Sequence, residues 1–265
     1  VSMLSILICV KQVPDTGRAL FDLKTGSIDR ASAENIVNPD DLHALETALS
    51  IRDTVGARIT ALSMGPPGAR EALYEAAAYG ADRCVLLCDP RFAGSDSLAT
   101  SRALAAAIIK TGPFDLIITG REAIDGSTGH VGYQLSEILK IPLVTRIHAY
   151  NIEGRYITIE RLYGHEYQKI RASLPLILSV GREDNRVRFL RLADIAVSSN
   201  TAIEELSMDD IGGREDEYGI TGSPTVVVDT RKFNHTRSRE SIEGGATEKA
   251  RAIVQRLKKH GILQY

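Results

Sequence analysis

Charge of one sign, long apolar runs and the familiar catalytic fingerprints are all missing from this sequence, and each absence removes a class of function. The 32 Lys and Arg residues nearly cancel the 34 Asp and Glu. No general field therefore attracts nucleic acid or an anionic membrane, and any anion site must be local. The apolar run from Val1 to Cys9 meets Lys11 and Asp15 too soon for a membrane span and has no small-residue cleavage site. It reads as a buried strand of a cytoplasmic protein. Cysteines are few and odd in number: Cys9, Cys84 and Cys88. The last two are spaced without a second pair or a nearby His, which argues against a metal site and for reduced thiols. The Walker pattern GxxxxGK followed by Ser or Thr is absent, as are GxGxxG and GxSxG. His43 and His165 lack a nucleophile pattern, so no catalytic residue is expected. Glu46 and Asp53 read as solvated acids on a helix face.

What is present is a regular alternation of short β-branched runs with helical patterns, the signature of parallel strands joined by crossover helices. Expected strands are Ser5 to Val10, Arg58 to Met64, Arg83 to Leu87, Phe114 to Thr119 and Leu176 to Val180. Between the first two lies a polar loop with a small hairpin around Lys24 to Ser27. Helices are expected from Pro39 to about Asp53, from Ala69 to Tyr79 stopping at Gly80, from a Ser95 or Asp96 cap to Lys110, and through Leu139. Thr145 to Tyr150, Arg155 to Leu162 and Glu166 to Ser173 read as antiparallel strands. From Arg182 to Thr225 periodicity weakens and charge rises, which reads as an extended arm. Thr225 to Val228 reads as a short apolar run. Thr247 to His260 is an amphipathic helix with Ala250, Ile253, Val254 and Leu257 on one side.

Ligands of an open parallel sheet bind outside the carboxyl ends of its strands, so the loops that follow strands carry the most weight. Lys11 after the first strand could meet a phosphate or simply solvate. Asn38-Pro39-Asp40-Asp41 could bond a purine edge or ribose, or could cap a helix. Gly94 to Thr100 places hydroxyls and free N–H groups at a helix start. The loop from Gly120 to Gly132 is the richest: four glycines, small hydroxyls and a helix N-terminus form a backbone-lined concavity suited to a pyrophosphate.

At these loops the chain resembles the β subunit of electron-transfer flavoproteins over nearly its full length. The resemblance is carried by VKQVPDT (Val10 to Thr16), VNPDDLHALETAL (Val37 to Leu49), SMGPPGAREAL (Ser63 to Leu73), YGADR (Tyr79 to Arg83), DSLATSRALA (Asp96 to Ala105) and TGREAIDGSTGHVG (Thr119 to Gly132). It implies an α/β fold with a three-layer, open, mostly parallel sheet of the adenine-nucleotide α-hydrolase-like type. The nucleotide-binding domain would occupy 1–182, the extended arm 183–225, and a C-terminal segment and helix docking on the partner subunit 226–265.

The resemblance also implies which residues hold an adenine cofactor. Cys9 and Asn38, Pro39, Asp40 and Asp41 would lie near the adenosine, with Ala61 and Met64 lining its pocket. Asp96 and Thr100, with Gly120, Arg121, Ala123, Asp125, Gly126, Ser127, Thr128, Gly129, His130 and Val131, would surround the phosphates. In this family the β subunit holds either AMP as a structural ligand or, in electron-bifurcating members, an FAD that takes hydride from NADH. VKQVPDT and the NPDD helix start look more like the bifurcating group, so FAD is the expected cofactor and AMP the alternative. Ser127, Gly129, His130 and Tyr133 depart from the usual DGDTAQVGP pattern. The implied partners are the α subunit and an acyl-CoA dehydrogenase or similar flavoenzyme. That enzyme would dock on a recognition loop that departs from NEPRYPSL and reads Asp184 to Leu190 here, with Leu192 or Ile195 as anchor.

Overall fold

The structure is a computed structural model, and it describes residues 3–15, 34–226 and 240–263. The hairpin expected at Lys24 to Ser27 and the end of the run from Thr225 to Val228 lie outside these residues. The chain forms two compact units, Val1–Val228 and Asp229–Tyr265.

In the first unit β1 (Leu4–Cys9) leads into an antiparallel ribbon of β2 (Gln12–Pro14) and β3 (Asn35–Val37), then α1 (Pro39–Val55). The β/α alternation continues with β4 (Ala57–Met64), α2 (Arg70–Tyr79), β5 (Arg83–Leu87), α3 (Ser97–Thr111), β6 (Leu116–Gly120), α4 (Val131–Leu139) and β7 (Leu143–Thr145). A three-stranded antiparallel sheet follows: β8 (Ile147–Glu153), β9 (Tyr156–Tyr163) and β10 (Glu166–Ser173). The chain then re-enters the main sheet as β11 (Leu176–Val180) and continues through α5 (Leu192–Ser198), β12 (Ile203–Leu206) and α6 (Met208–Ile211). The second unit contains α7 (Ala246–Lys259). No helix among the described residues is long and apolar enough to cross a membrane.

The seven-stranded sheet has the order β12-β5-β4-β1-β6-β11-β7, and every neighbouring pair is parallel. Both faces are covered, which is why its strands read as continuous apolar runs rather than alternating ones. Ile6 and Ile8 pack with Leu45, Leu49 and Leu73 of α1 and α2 on one side. Leu7 packs with Leu104, Ile108 and Leu135 of α3 and α4 on the other. The expected three-layer α/β fold is what forms. Helix ends follow local chemistry: Asp96 caps α3 through its side chain, and α2 stops at Gly80, whose φ of 120° suits glycine.

Three parts of the chain escape the sequence pattern. The β2–β3 ribbon lies where a polar loop is expected, and β7 takes Thr145, expected in an antiparallel strand, into the main sheet. Within 183–225, expected as an extended arm, the chain forms α5, β12 and α6, and β12 joins the main sheet beside β5. Its sequence IEEL hides this because Glu204 and Glu205 pair with Arg83 and Arg70, a charged edge of the kind that discourages further strand pairing. The start of the segment is pinned to α1: Asn185 bonds His43 and Thr47, while Arg188 holds Glu46 through two bonds of 2.9 Å and reaches Asp53 at 2.9 Å. Glu46 and Asp53 therefore both pair with Arg188, and Glu46 is buried rather than solvated.

Candidate functional site

Strand order reverses at β1. The chain adds β4 and β5 on one side through α1 and α2, then crosses back through α3 to place β6 on the other. At such a reversal the loops leaving adjacent strands part in opposite directions and open a crevice at the carboxyl ends. A cleft of about 1030 Å³ opens there, lined by Cys9 from β1, Met64 from β4, Cys88 after β5, and Thr119 and Gly120 from β6.

One wall is the loop after β6. Arg121, Ala123, Asp125, Gly126, Ser127, Thr128, Gly129, His130 and Val131 all line the cleft. Ser127 and Gly129 have φ of 48° and 61°, so this loop turns through the left-handed region twice. The N-cap of α4, His130, makes no side-chain cap bond, so the first N–H groups of the helix remain open to another acceptor. Beside them Thr119 Oγ1 is buried with no partner among the described residues, and a Cβ on Gly132 would stand 3.1 Å from it. A buried hydroxyl without a partner is unusual and calls for an explanation.

Asp41, Asp96 and Thr100 also line the cleft, whereas Asn38, Pro39, Asp40 and Ala61 do not. Ala61 points into the core on the α1 and α2 side. Pro39 begins α1. Asn38 is fully buried and braces the loop: its Nδ2 donates to the Glu122 carbonyl at 2.9 Å, and its Oδ1 accepts from the Ile124 N–H at 3.1 Å. Asp40, also fully buried, accepts from Arg182 Nε at 2.8 Å and from the Glu122 N–H at 3.3 Å. These residues shape the site from behind. Gly120 is required by the same packing, because a Cβ there would overlap Asp41 Oδ1 and stand 2.9 Å from the Asp40 carbonyl carbon.

At the deep end burial disfavours the charged form of both titratable groups. Burial pushes the Asp41 carboxyl up to about 7, with Asp40 adding to the shift and bonds from Asn38 and the Lys11 N–H opposing it. Burial and then Asp41 push the Cys9 thiol up to about 12, so it stays protonated. At the rim Lys11 Nζ pairs with Asp125 at 2.6 Å.

The remaining wall was not legible in the sequence beyond its helix start. It includes Asp89, Pro90, the stretch from Phe92 to Ser97, and Thr225. The Pro90–Phe92 turn carries one usable signal, its position directly after β5. Thr225 carries none, since its partner Asp96 lies 129 residues earlier. A smaller cavity of about 140 Å³ adjoins, lined by Arg121, Tyr133, Arg146, Glu183 and Asp184.

Comparison with known proteins gives one consistent result. The electron transfer flavoprotein domain family matches residues 25–211. The chain is 40% identical to the electron transfer flavoprotein subunit beta of Thermoanaerobacterium thermosaccharolyticum over 98% of this chain and 100% of that one. It is 38% identical to the caffeyl-CoA reductase-Etf complex subunit CarD of Acetobacterium woodii, covering 97% and 99% of the two chains. It is 37% identical to protein FixA of Bradyrhizobium diazoefficiens, covering 94% and 89%.

Proposed function

The chain belongs to the electron transfer flavoprotein family as a β subunit, a protein of electron transfer, and from that premise we propose that its cleft holds FAD. The observation that carries this reading is the cleft at the strand reversal, walled by a loop that Asn38 and Asp40 hold open from behind. The residues present fit such a group. The uncapped start of α4 and the unpartnered Thr119 hydroxyl suit phosphate oxygens. Met64, Leu62, Phe92 and the protonated Cys9 offer an apolar surface for flat rings. The volume of about 1030 Å³ lies at the upper end of the roughly 300–1,000 Å³ usual for ligand pockets, which favours a dinucleotide over AMP.

A bound flavin would supply the redox chemistry, and the chain's own residues bind, orient and exclude water. β subunits of this family pair with an α subunit and with flavoenzymes. We infer that this one passes electrons between NADH or another donor and an acyl-CoA-type dehydrogenase, with flavin-based bifurcation. The name of the caffeyl-CoA reductase complex relative supports a partner that acts on CoA esters. A docking surface is at hand beside the pinned Arg188, where Phe189 is 98% and Leu192 85% exposed, against 46% for Ile195. The test is the cofactor content of the complex purified with its α subunit. Two FAD per heterodimer support the reading, and one FAD with one AMP assigns the cleft to a structural nucleotide.

A further inference from the structure

The cleft proposed for a nucleotide has a carboxylate on its rim. Asp96 lies between Ser95 and Ser97 at the start of α3, and α3 is joined to α4 through Gln134, whose Oε1 accepts from the Ser101 hydroxyl and whose Nε2 donates to Ser97 Oγ. The two helix starts flank one stretch of the cleft, where their dipoles favour an anion and a free carboxylate opposes it.

Neither oxygen of Asp96 is free. Oδ1 accepts from the N–H groups of Leu98 and Ala99 at 2.9 and 3.0 Å. Oδ2 accepts from the N–H of Thr225 at 3.1 Å and from its hydroxyl at 2.7 Å. Partial burial pushes the Asp96 pKa up, but these bonds outweigh it and leave the carboxyl below its ordinary value. Thr225 reaches this point on a strap that follows α6. Tyr218 packs edge-on against Phe92 at 5.8 Å, and Gly219 comes so close to Arg91 that a Cβ would overlap the Arg91 carbonyl oxygen. Ser223 Oγ accepts from the Asp96 N–H at 2.8 Å. Thr225 itself faces the cleft.

We propose that Thr225 is a positioning residue of the nucleotide cleft: by donating twice to Asp96 it holds that carboxylate in bonds within the protein, so that the acid does not oppose a bound phosphate. This rests on the nucleotide reading above and adds to it a residue that no loop motif contains. The role is electrostatic, which separates it from simple packing. Loss of the hydroxyl leaves Oδ2 with one donor and more unshielded charge, and only a charged ligand senses the difference.

The experiment uses the full chain in complex with its α subunit, stripped of nucleotide, and measures binding of AMP and of adenosine. Thr225→Val should weaken AMP about fivefold through the carboxylate charge it leaves less screened, while changing adenosine by less than about twofold. Thr225→Ser should restore the native AMP affinity. In an Asp96→Asn background, which keeps the cap and removes the charge, Thr225→Val should change AMP binding by less than about twofold. Equal losses for AMP and adenosine, or an unchanged AMP affinity in Thr225→Val, would overturn the proposal and leave the nucleotide reading intact. A native complex that binds neither AMP nor FAD would overturn both.

Discussion

Replacing Asn38 tests the link between the start of α1 and the loop that walls the cleft. Its side chain is fully buried and makes two bonds to that loop, 2.9 Å to the Glu122 carbonyl and 3.1 Å from the Ile124 N–H. Each such bond contributes about 0.5–1.5 kcal/mol net, and a buried group left unpaired costs about 1–3 kcal/mol. Asn38→Ala removes both bonds and leaves a small void, so it should destabilise the chain by about 2–4 kcal/mol. Asn38→Asp has nearly the same shape and still accepts from Ile124, but sets a carboxylate oxygen against the Glu122 carbonyl, beside the buried Asp40 and Asp41. It should be worse than Ala at pH 7.5 and recover as the pH falls and the new carboxyl takes up a proton. Urea unfolding of the purified protein at pH 5.5 and 7.5 measures stability, and hydrogen exchange across 120–131 reports whether the loop loosens. An Asn38→Ala protein within about 0.5 kcal/mol of native, with unchanged loop exchange, would refute the view that Asn38 is a brace.

Two glycines should behave oppositely. Gly120→Ala sets a Cβ into Asp41 Oδ1 and should cost about 3 kcal/mol or more, read as a lowered urea midpoint, whereas a native midpoint would count against the close approach. A Cβ on Gly126 meets nothing within 4 Å, so Gly126→Leu should fold normally yet copurify without nucleotide; full occupancy would remove this loop from the site. Asp41 gives a pH signature. Its folded pKa of about 7 lies above the ordinary 3.8, so between these values the unfolded chain releases a proton that the folded chain keeps, and this group's contribution to stability falls as pH rises from about 4 to about 7. Asp41→Asn should flatten that decline in urea midpoints taken from pH 4.5 to 7.5, and identical slopes would disprove the assignment. On the surface proposed for docking, Phe189→Ala and Leu192→Ala should slow electron transfer to the proposed dehydrogenase partner about tenfold or more without altering stability, measured as reduction of that enzyme by the complex. Unchanged rates in both would place docking elsewhere.

What the sequence determined by itself was whatever depends on neighbours along the chain. Periodicity and the breaks at Gly65 to Gly68 and Gly80 mark β1, β4, α2 and β5 to within a residue or two, because strand and helix patterns and their stop signals are local. The loop after β6 could be picked out for the same reason: its glycines, small hydroxyls and following helix sit in one stretch. Only the tertiary structure decided the rest. Asn38 and Asp40 look like part of a helix start in the motif, and only the fold shows that they also brace the loop after β6 through partners 84 and 82 residues away. Glu46 looks like a solvated acid until Arg188, 142 residues on, closes over it. IEEL looks like arm until it finds β5, and Thr225 looks like nothing until it meets Asp96. Each of these roles is a pairing between groups far apart in sequence, and such a pairing exists only once the sheet has brought its strand ends together.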